Sequence, residues 1–356
     1  MKSAIIASSI APAGMEGGIP PAGMTASPLL ELTAVAKRFV TPLDLFARLG
    51  KLLGADRHEQ VVHAVDRVDL AIGRGEVVGL VGESGCGKST LGRMAVGLHG
   101  LSEGTRLWKG EAIDALPAAV RRRKQLGMQM IFQDPYASLN PRMRVQDIVG
   151  EAPLLHGLVS RREKAAYAEQ MLRRVGLDGD ALRRFPHQFS GGQRARVGIA
   201  RALAVQPEFL VCDESVAALD ISIQAQVINL FMQLRADFNL TYLFISHDLG
   251  VVQHIADRVV IMYLGRVVEM ARTGDIFSAP NHPYTQALLA EAPRLEVRKK
   301  TFIAIRGEIP SPLNPPSGCH FHPRCPHAMA RCSSEVPQLR QIAPGRQSAC
   351  HLNDQA

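Results

Sequence analysis

Apolar and polar residues alternate along "LLELTAVAKRF", residues 29–39, and again along "VVHAVDRVDLAI", residues 61–72. A period of two predicts half-buried β-strands, the first of them at a sheet edge. The mixed stretch from Val40 to Gln60 reads as a loop or short helix. "GRGEVVGLVGE" predicts a turn and then a buried strand ending at Gly82, and residues 88–99 suit a helix. Ser160 followed by Glu163 forms a capping-box pattern that opens a helix running to Val175 and stopping at Gly176. "EFLVCDE" (208–214) and "LTYLFISHD" (240–248) are short apolar strands. Between them residues 222–237 carry a helical stripe of Val227, Leu230, Phe231 and Leu234. "RVVIMYLGRVVEMA" reads as a hairpin around Leu264-Gly265.

Strands alternating with helices predict a largely parallel α/β sheet. After residue 278 proline becomes frequent, the alternation stops and cysteines begin, so a boundary is placed there. Residues 1–28, rich in Ala, Gly, Pro and Met, read as a disordered extension. Their start faintly resembles a signal peptide, but the apolar core is short and weak, and Met15 or Met24 is an alternative start.

Composition narrows the function classes. The 356 residues are 46% hydrophobic and 21% charged, ordinary for a globular protein with room for one large domain and an appendix. No apolar run approaches the ~18–20 residues that span a bilayer, so a membrane role requires a partner. The net charge of +8 is compatible with nucleic acid, an anionic surface or phosphate ligands. The basic runs, "RRRK" at 121–124 and the Arg pairs at 161–162 and 183–184, are scattered and lack interleaved aromatics. They read as solvated helix faces.

The sharpest chemistry is "GESGCGKST", Gly82 to Thr90, which matches G-x-x-x-x-G-K-[ST] between a strand and a helix. Glycines at 82, 85 and 87 let backbone N–H groups turn inward around phosphates, together with Ser84, Cys86 and Thr90, and the helix start adds its positive end. Lys88 is expected to reach the β- and γ-phosphates and Ser89 to ligate Mg²⁺. "FLVCDE" ends a buried strand in two carboxylates. Asp213 fits a Mg²⁺ partner and Glu214 the base that activates water.

"FSGGQRARVGIARAL" (189–203), with the phosphate loop and "CDE", resembles the signature of the ABC ATPase family over residues 29–275. The resemblance implies an α/β P-loop NTPase with a RecA-like core, an antiparallel β subdomain and a helical signature subdomain at about 137–200. This ATPase domain spans 29–278 and is followed by a small Cys-rich C-terminal region, 279–356. It implies that Ser190, Gly191, Gly192 and Gln193 contact the γ-phosphate held by a second subunit. Two glycines at a helix start and a serine hydroxyl are suitable donors for that task. It further implies that Gln133 in "IFQDP" senses the γ-phosphate, touches Mg²⁺ and faces a transmembrane partner. Asp220 ends the loop at the dimer interface, His247 in "ISHD" holds the γ-phosphate and the water, and Phe39 stacks on adenine. An edge-strand core position is the alternative reading of Phe39. The chain departs from the family's D-E-P-V-S-A-L-D: Ser215 replaces proline and Ala217 replaces serine. The second change removes a hydroxyl near the partner's nucleotide, but the Mg²⁺ and base positions remain, so hydrolysis is expected.

"NHPYTQALLAEAP" (281–293) and "GEIPSPLNPPSGCHFHPRCP" (307–326) resemble the oligopeptide/dipeptide importer ATPases, a branch that also handles nickel, and are similar to those importers' second ATPase. The resemblance implies two permease subunits, an extracytoplasmic substrate-binding protein, and a location on the cytoplasmic face of the inner membrane as a peripheral subunit. One phosphate loop and one signature loop per chain require a dimer, implied to be a heterodimer with a related ATPase. The alternatives are a soluble ABC ATPase acting on nucleic acid or ribosomes, for which no coiled-coil insertion or second cassette is present, and an importer of nickel or another small solute.

Cys319, Cys325, Cys332 and Cys350 follow a C-x₅-C-x₆-C-x₁₇-C spacing. Four thiolates suit a [4Fe–4S] cluster, with Zn²⁺ or unligated thiols as alternatives, and this importer branch is associated with such a cluster. The site reads as an accessory, a staple for a core-poor tail or a sensor. The histidines at 320, 322, 327 and 351 read as neighbours rather than ligands.

Overall fold

The computed structural model describes residues 27–41, 59–134, 137–291 and 307–354. The extension with Met15 and Met24, and most of the stretch after Val40, lie outside the described residues. The two alternating segments form β1 (Leu30–Thr41) and β2 (Gln60–Ile72). They pair antiparallel, with Leu30 opposite Ile72 and Val35 opposite Val68. After β3 (Val77–Val81) and α1 (Lys88–Val96) come β4 (Glu103–Trp108) and β5 (Glu111–Ala112). The first sheet has the order β2-β1-β4-β5. β1 is therefore interior, not the edge strand expected. Alternation reports which face of a strand is wet; it carries no information about which side is paired.

The second sheet holds β3, β6 (Met128–Ile131), β7 (Phe209–Asp213), β8 (Thr241–Ile245), β9 (Arg258–Tyr263) and β10 (Arg266–Arg272). It is closed at one side by β11 (Arg340–Ala343) and β12 (Arg346–Ser348), in the order β11-β12-β10-β9-β3-β8-β7-β6. The run β9-β3-β8-β7-β6 is parallel, as the strand–helix alternation predicts. Every residue of β3, β7 and β8 is buried, the expected state of parallel strands covered on both faces.

Helices α2 (Ala118–Gln125), α3 (Val145–Leu155), α4 (Lys164–Arg174) and α5 (Gly191–Leu203) lie in the chain between β5 and β7. No residue of α2 is buried, so its Arg/Lys run is a solvated face, as read from the sequence. The Ser160–Glu163 box forms, with Ser160 N–H donating to Glu163 Oε2 at 2.9 Å and Glu163 N–H to Ser160 Oγ at 3.4 Å. The helix proper begins only at Lys164, because the three residues after Ser160 form a turn. α6 (Ile221–Phe238) buries Val227, Leu230, Phe231 and Leu234, the stripe that its 3.6-residue period marks.

The region after residue 278 builds onto the same sheet and core. α7 (Leu249–Ile255) and α8 (Thr273–Ser278) precede α9 (Pro283–Glu291). β12 then pairs with β10, Glu269 opposite Ser348. Phe321 packs edge-on against Tyr263 of β9, with ring centroids 5.3 Å apart, and lies 5.4 Å from Tyr284. The tail is thus not poor in core; it borrows one from the edge of the cassette. Its aromatics are sparse in sequence and converge only in space.

Candidate functional site

Four neighbouring parallel strands, β3, β8, β7 and β6, end at one edge of the sheet, and each delivers one part of the site there. This carboxyl edge is where open α/β sheets bind ligands. β3 runs into the phosphate loop. Gly87 has φ 103° and caps α1. A Cβ at that position would stand 2.1 Å from the Ala64 carbonyl oxygen, so the loop closes there only with glycine. Lys88 is buried, and its Nζ donates to Gly82 O at 2.7 Å and Glu83 O at 2.9 Å. The ammonium is held inside the loop by two carbonyls.

At the end of β7, Asp213 Oδ1 accepts from Ser89 Oγ at 2.7 Å. Burial raises the Asp213 carboxyl above the usual carboxylate range, opposed by the Ser89 hydrogen bond. A cation bound there would relieve that penalty. Ser89 and Asp213 form a hard oxygen pair of the kind Mg²⁺ takes.

Glu214 follows with φ 46°, a left-handed conformation that turns its side chain off the strand path. Gln133 Nε2, just past the end of β6, donates to Glu214 Oε2 at 2.7 Å. His247 Nδ1, just past the end of β8, lies 3.3 Å from the same oxygen. Both contacts fall on Oε2. The three residues expected to act on water and γ-phosphate are therefore brought together.

The adjoining cleft is lined by Phe39, Val62, Ala64, the phosphate loop, Gln133 and Glu214, and also by Pro312, while His247 and Asp213 are absent from its described lining. Phe39 lies at its mouth, with Lys37 Nζ 5.2 Å from its ring centre. Of the loop residues expected here, Ser84, Gly85, Gly87, Lys88, Ser89 and Thr90 line the cleft, whereas Gly82 and Cys86 do not. Cys86 belongs to the core beneath, where burial pushes its thiol up.

Ser190, Gly191, Gly192, Gln193 and Asp220 are absent from the described lining of this cleft. Ser190 is the N-cap of α5, its Oγ accepting from Gln193 N–H at 3.3 Å and its N–H donating to Gln193 Oε1 at 3.1 Å. A capping box of this type stabilises a helix start by about 1 kcal/mol. Asp220 is the exposed N-cap of α6. One chain thus presents the two halves of the motif set at separate places.

Cys319, Cys325, Cys332 and Cys350 do share one small cavity, with His322, His327 and His351. All four are free. Burial pushes Cys319 up to about 11 and raises Cys325 and Cys350. In this arrangement, among the described residues, no group of three or more His, Cys, Asp or Glu is spaced to hold a metal ion. The neighbouring histidines have structural bonds: His320 Nδ1 to Leu264 O at 2.8 Å, His322 Nδ1 to Cys319 O at 2.9 Å, and His351 Nε2 to Glu335 O at 3.1 Å. Gly318, at φ 65°, lets the thiol loop pass close to the Cys332 carbonyl, which a Cβ would meet at 2.4 Å.

The sequence reading missed Pro312, Glu83, Tyr284 and Arg324. Arg324 sits inside the "CHFHPRC" stretch that reads as a metal site. The one available signal was Glu83, a carboxylate placed within a phosphate-binding loop, where it needs a cation of its own.

Known proteins resemble this chain over most of its length. Residues 65–217 match the family model described as ABC transporter, and residues 268–332 match the one described as oligopeptide/dipeptide transporter, C-terminal region. The chain is 48% identical over 329 residues to the oligopeptide transport ATP-binding protein AppF of Bacillus subtilis (strain 168), covering 91% of this chain and 97% of that one. It is 47% identical over 293 residues to the probable peptide ABC transporter ATP-binding protein y4tS of Sinorhizobium fredii, covering 82% and 83%. Among solved structures, the dimeric post-hydrolysis state of the ATP-binding cassette MJ0796 bound to ADP and Pi superposes with a TM-score of 0.58 at 25% identity, over 68% of this chain and 98% of that one. The chain therefore belongs to the ABC transporter family, in the branch that carries the oligopeptide/dipeptide transporter C-terminal region.

Proposed function

We propose that this protein is the ATP-hydrolysing subunit of an ABC importer for di- and oligopeptides. The observation that carries the reading is the convergence of Lys88, the Ser89–Asp213 pair and Glu214 at one sheet edge. Lys88 and the loop N–H groups hold the triphosphate. Ser89, Asp213 and the Gln133 amide oxygen would hold Mg²⁺, which supplies charge neutralisation between the phosphates. Glu214 accepts a proton from the attacking water as the bond from the γ-phosphorus to the ADP oxygen breaks. Gln133 and His247 orient that carboxylate. Phe39, which lines the cleft with its ring partly exposed, would stack on adenine.

Each cleft awaits a signature loop from another subunit, so the working unit is a dimer, here a heterodimer with a related ATPase. Ser190, Gly191, Gly192, Gln193 and Asp220 of one chain serve the partner's nucleotide. Ala217 is exposed beside that surface and brings no hydroxyl to it. Among the described residues no helix is long and apolar enough to cross a membrane. In this reading two permease subunits supply the spans, a substrate-binding protein delivers peptide, and this chain sits peripherally on the cytoplasmic face of the inner membrane. A groove lined by Leu98, Met128, Phe132, Ala152 and His156, with Arg122 and Arg201 also in its lining, is the surface we assign to a permease segment.

The four cysteines of the C-terminal region are our candidate ligands for a [4Fe–4S] cluster. What supports the reading is four thiols in one cavity; against it, burial favours the thiol over the thiolate that a cluster needs, and in this arrangement no group of three or more of the described side chains is spaced to hold a metal ion.

The functional test is reconstitution of the co-purified complex in vesicles. ATP turnover should rise when the substrate-binding protein is loaded with peptide. Stimulation by a nickel chelate and not by peptide would overturn the peptide assignment. Elution with RNA or DNA in a salt-dependent way would overturn the importer reading altogether.

A further inference from the structure

The C-terminal region reaches the phosphate loop itself. Arg324 lies between Cys319 and Cys325, 241 residues after Glu83, and its guanidinium meets both Glu83 carboxylate oxygens, at 2.8 and 3.1 Å. The ion pair is largely buried, with side-chain exposures of 6% for Arg324 and 16% for Glu83. Arg324 Nη1 also donates to the Tyr263 hydroxyl at 3.3 Å. A second contact comes from α9: the hydroxyl of Tyr284, a fully buried residue, accepts from Glu83 N–H at 2.9 Å. The Gly82–Glu83 peptide is thereby fixed with its N–H toward Tyr284. The carbonyl of that same peptide, Gly82 O, accepts from Lys88 Nζ at 2.7 Å, and the next carbonyl, Glu83 O, accepts from it at 2.9 Å.

These contacts form a continuous path from the thiol loop to the ammonium that binds phosphate. We propose that Arg324 and Tyr284 are positioning residues for the phosphate loop, acting through Glu83 to set Lys88. The same region touches the other end of the cleft independently. Pro312 lines it, and the Pro312 carbonyl accepts from His63 N–H of β2 at 3.0 Å. The region after residue 278 is thus a built part of the nucleotide site and not only an appendix beside it. The inference rests on the ATP-binding reading above.

The test is a double-mutant cycle on the full-length chain, with the dissociation constant for Mg-ATP measured by titration. Arg324→Ala and Glu83→Ala should each weaken ATP binding about tenfold, the scale of a lost hydrogen-bonded charge pair. The double variant should be no weaker than either single one, because both act through one contact. Tyr284→Phe removes only the hydroxyl oxygen and should weaken binding by a smaller factor with the fold intact. Lys88→Ala is the control: if wild type binds ATP and Lys88→Ala does not, the ATP reading stands whatever the cycle returns. Unchanged affinity in Arg324→Ala, or additive losses in the double variant, would overturn the positioning role. If Arg324→Ala does not fold, wild-type affinity in both Glu83→Ala and Tyr284→Phe overturns it equally.

Discussion

Ser89 Oγ lies 2.7 Å from Asp213 Oδ1, joining the end of the phosphate loop to the end of β7 across 124 residues of chain. Removing either oxygen should impair Mg²⁺ use before it impairs folding. Ser89→Ala and Asp213→Asn are each expected to raise the Mg²⁺ concentration needed for half-maximal ATP turnover by about 10–100-fold. A magnesium titration at fixed ATP reads this directly, and curves that overlay wild type would remove both residues from the ion's site.

The phosphate loop, the helix start at Ser190 and the acidic pair at the end of β7 are legible as local structure because each depends on short spacing. "GESGCGKST" must sit between a strand and a helix, and it does. β3, β7 and β8 were legible for a related reason, since short apolar runs are what two-sided burial requires. What was hidden depends on convergence from far apart. The Arg324–Glu83 pair and the Tyr263–Tyr284–Phe321 cluster have no periodicity to betray them. The pairing of β12 with β10 is of the same kind, because a three-residue strand leaves almost no pattern. The four cysteines, clustered in the sequence, do share a cavity. Their spacing in this arrangement is not that of a metal site among the described residues.

Acid should loosen the protein through two C-terminal histidines. Burial pushes His282 and His320 down to about 4. An unfolded imidazole titrates near about 6.5, so between those values the unfolded chain binds protons that the folded one refuses. Their contribution is intact above about pH 6.5 and is lost progressively toward pH 4. The thermal midpoint should fall between pH 7 and pH 5, and His320→Asn, which keeps a donor for the Leu264 carbonyl, should flatten that fall. A midpoint that does not drop on acidification would contradict the burial of these rings as neutral groups.

The thiol cavity makes a colour prediction. Protein purified without oxygen should absorb in the visible range and carry iron. Cys319→Ser should bleach that absorbance and lower the thermal midpoint, since the thiol loop also packs Phe321 against Tyr263. Colourless, iron-free protein from anaerobic preparations would rule out the cluster and leave Zn²⁺ or unligated thiols.

The central claim is that Glu214, braced by Gln133 and His247, is the base for ATP hydrolysis in a composite site. The most direct measurement is ATP binding and turnover by Glu214→Gln in the assembled transporter. ATP affinity should stay close to wild type while turnover falls by about two to four orders of magnitude, the scale of a lost general base. Turnover like that of wild type in this variant would contradict the assignment.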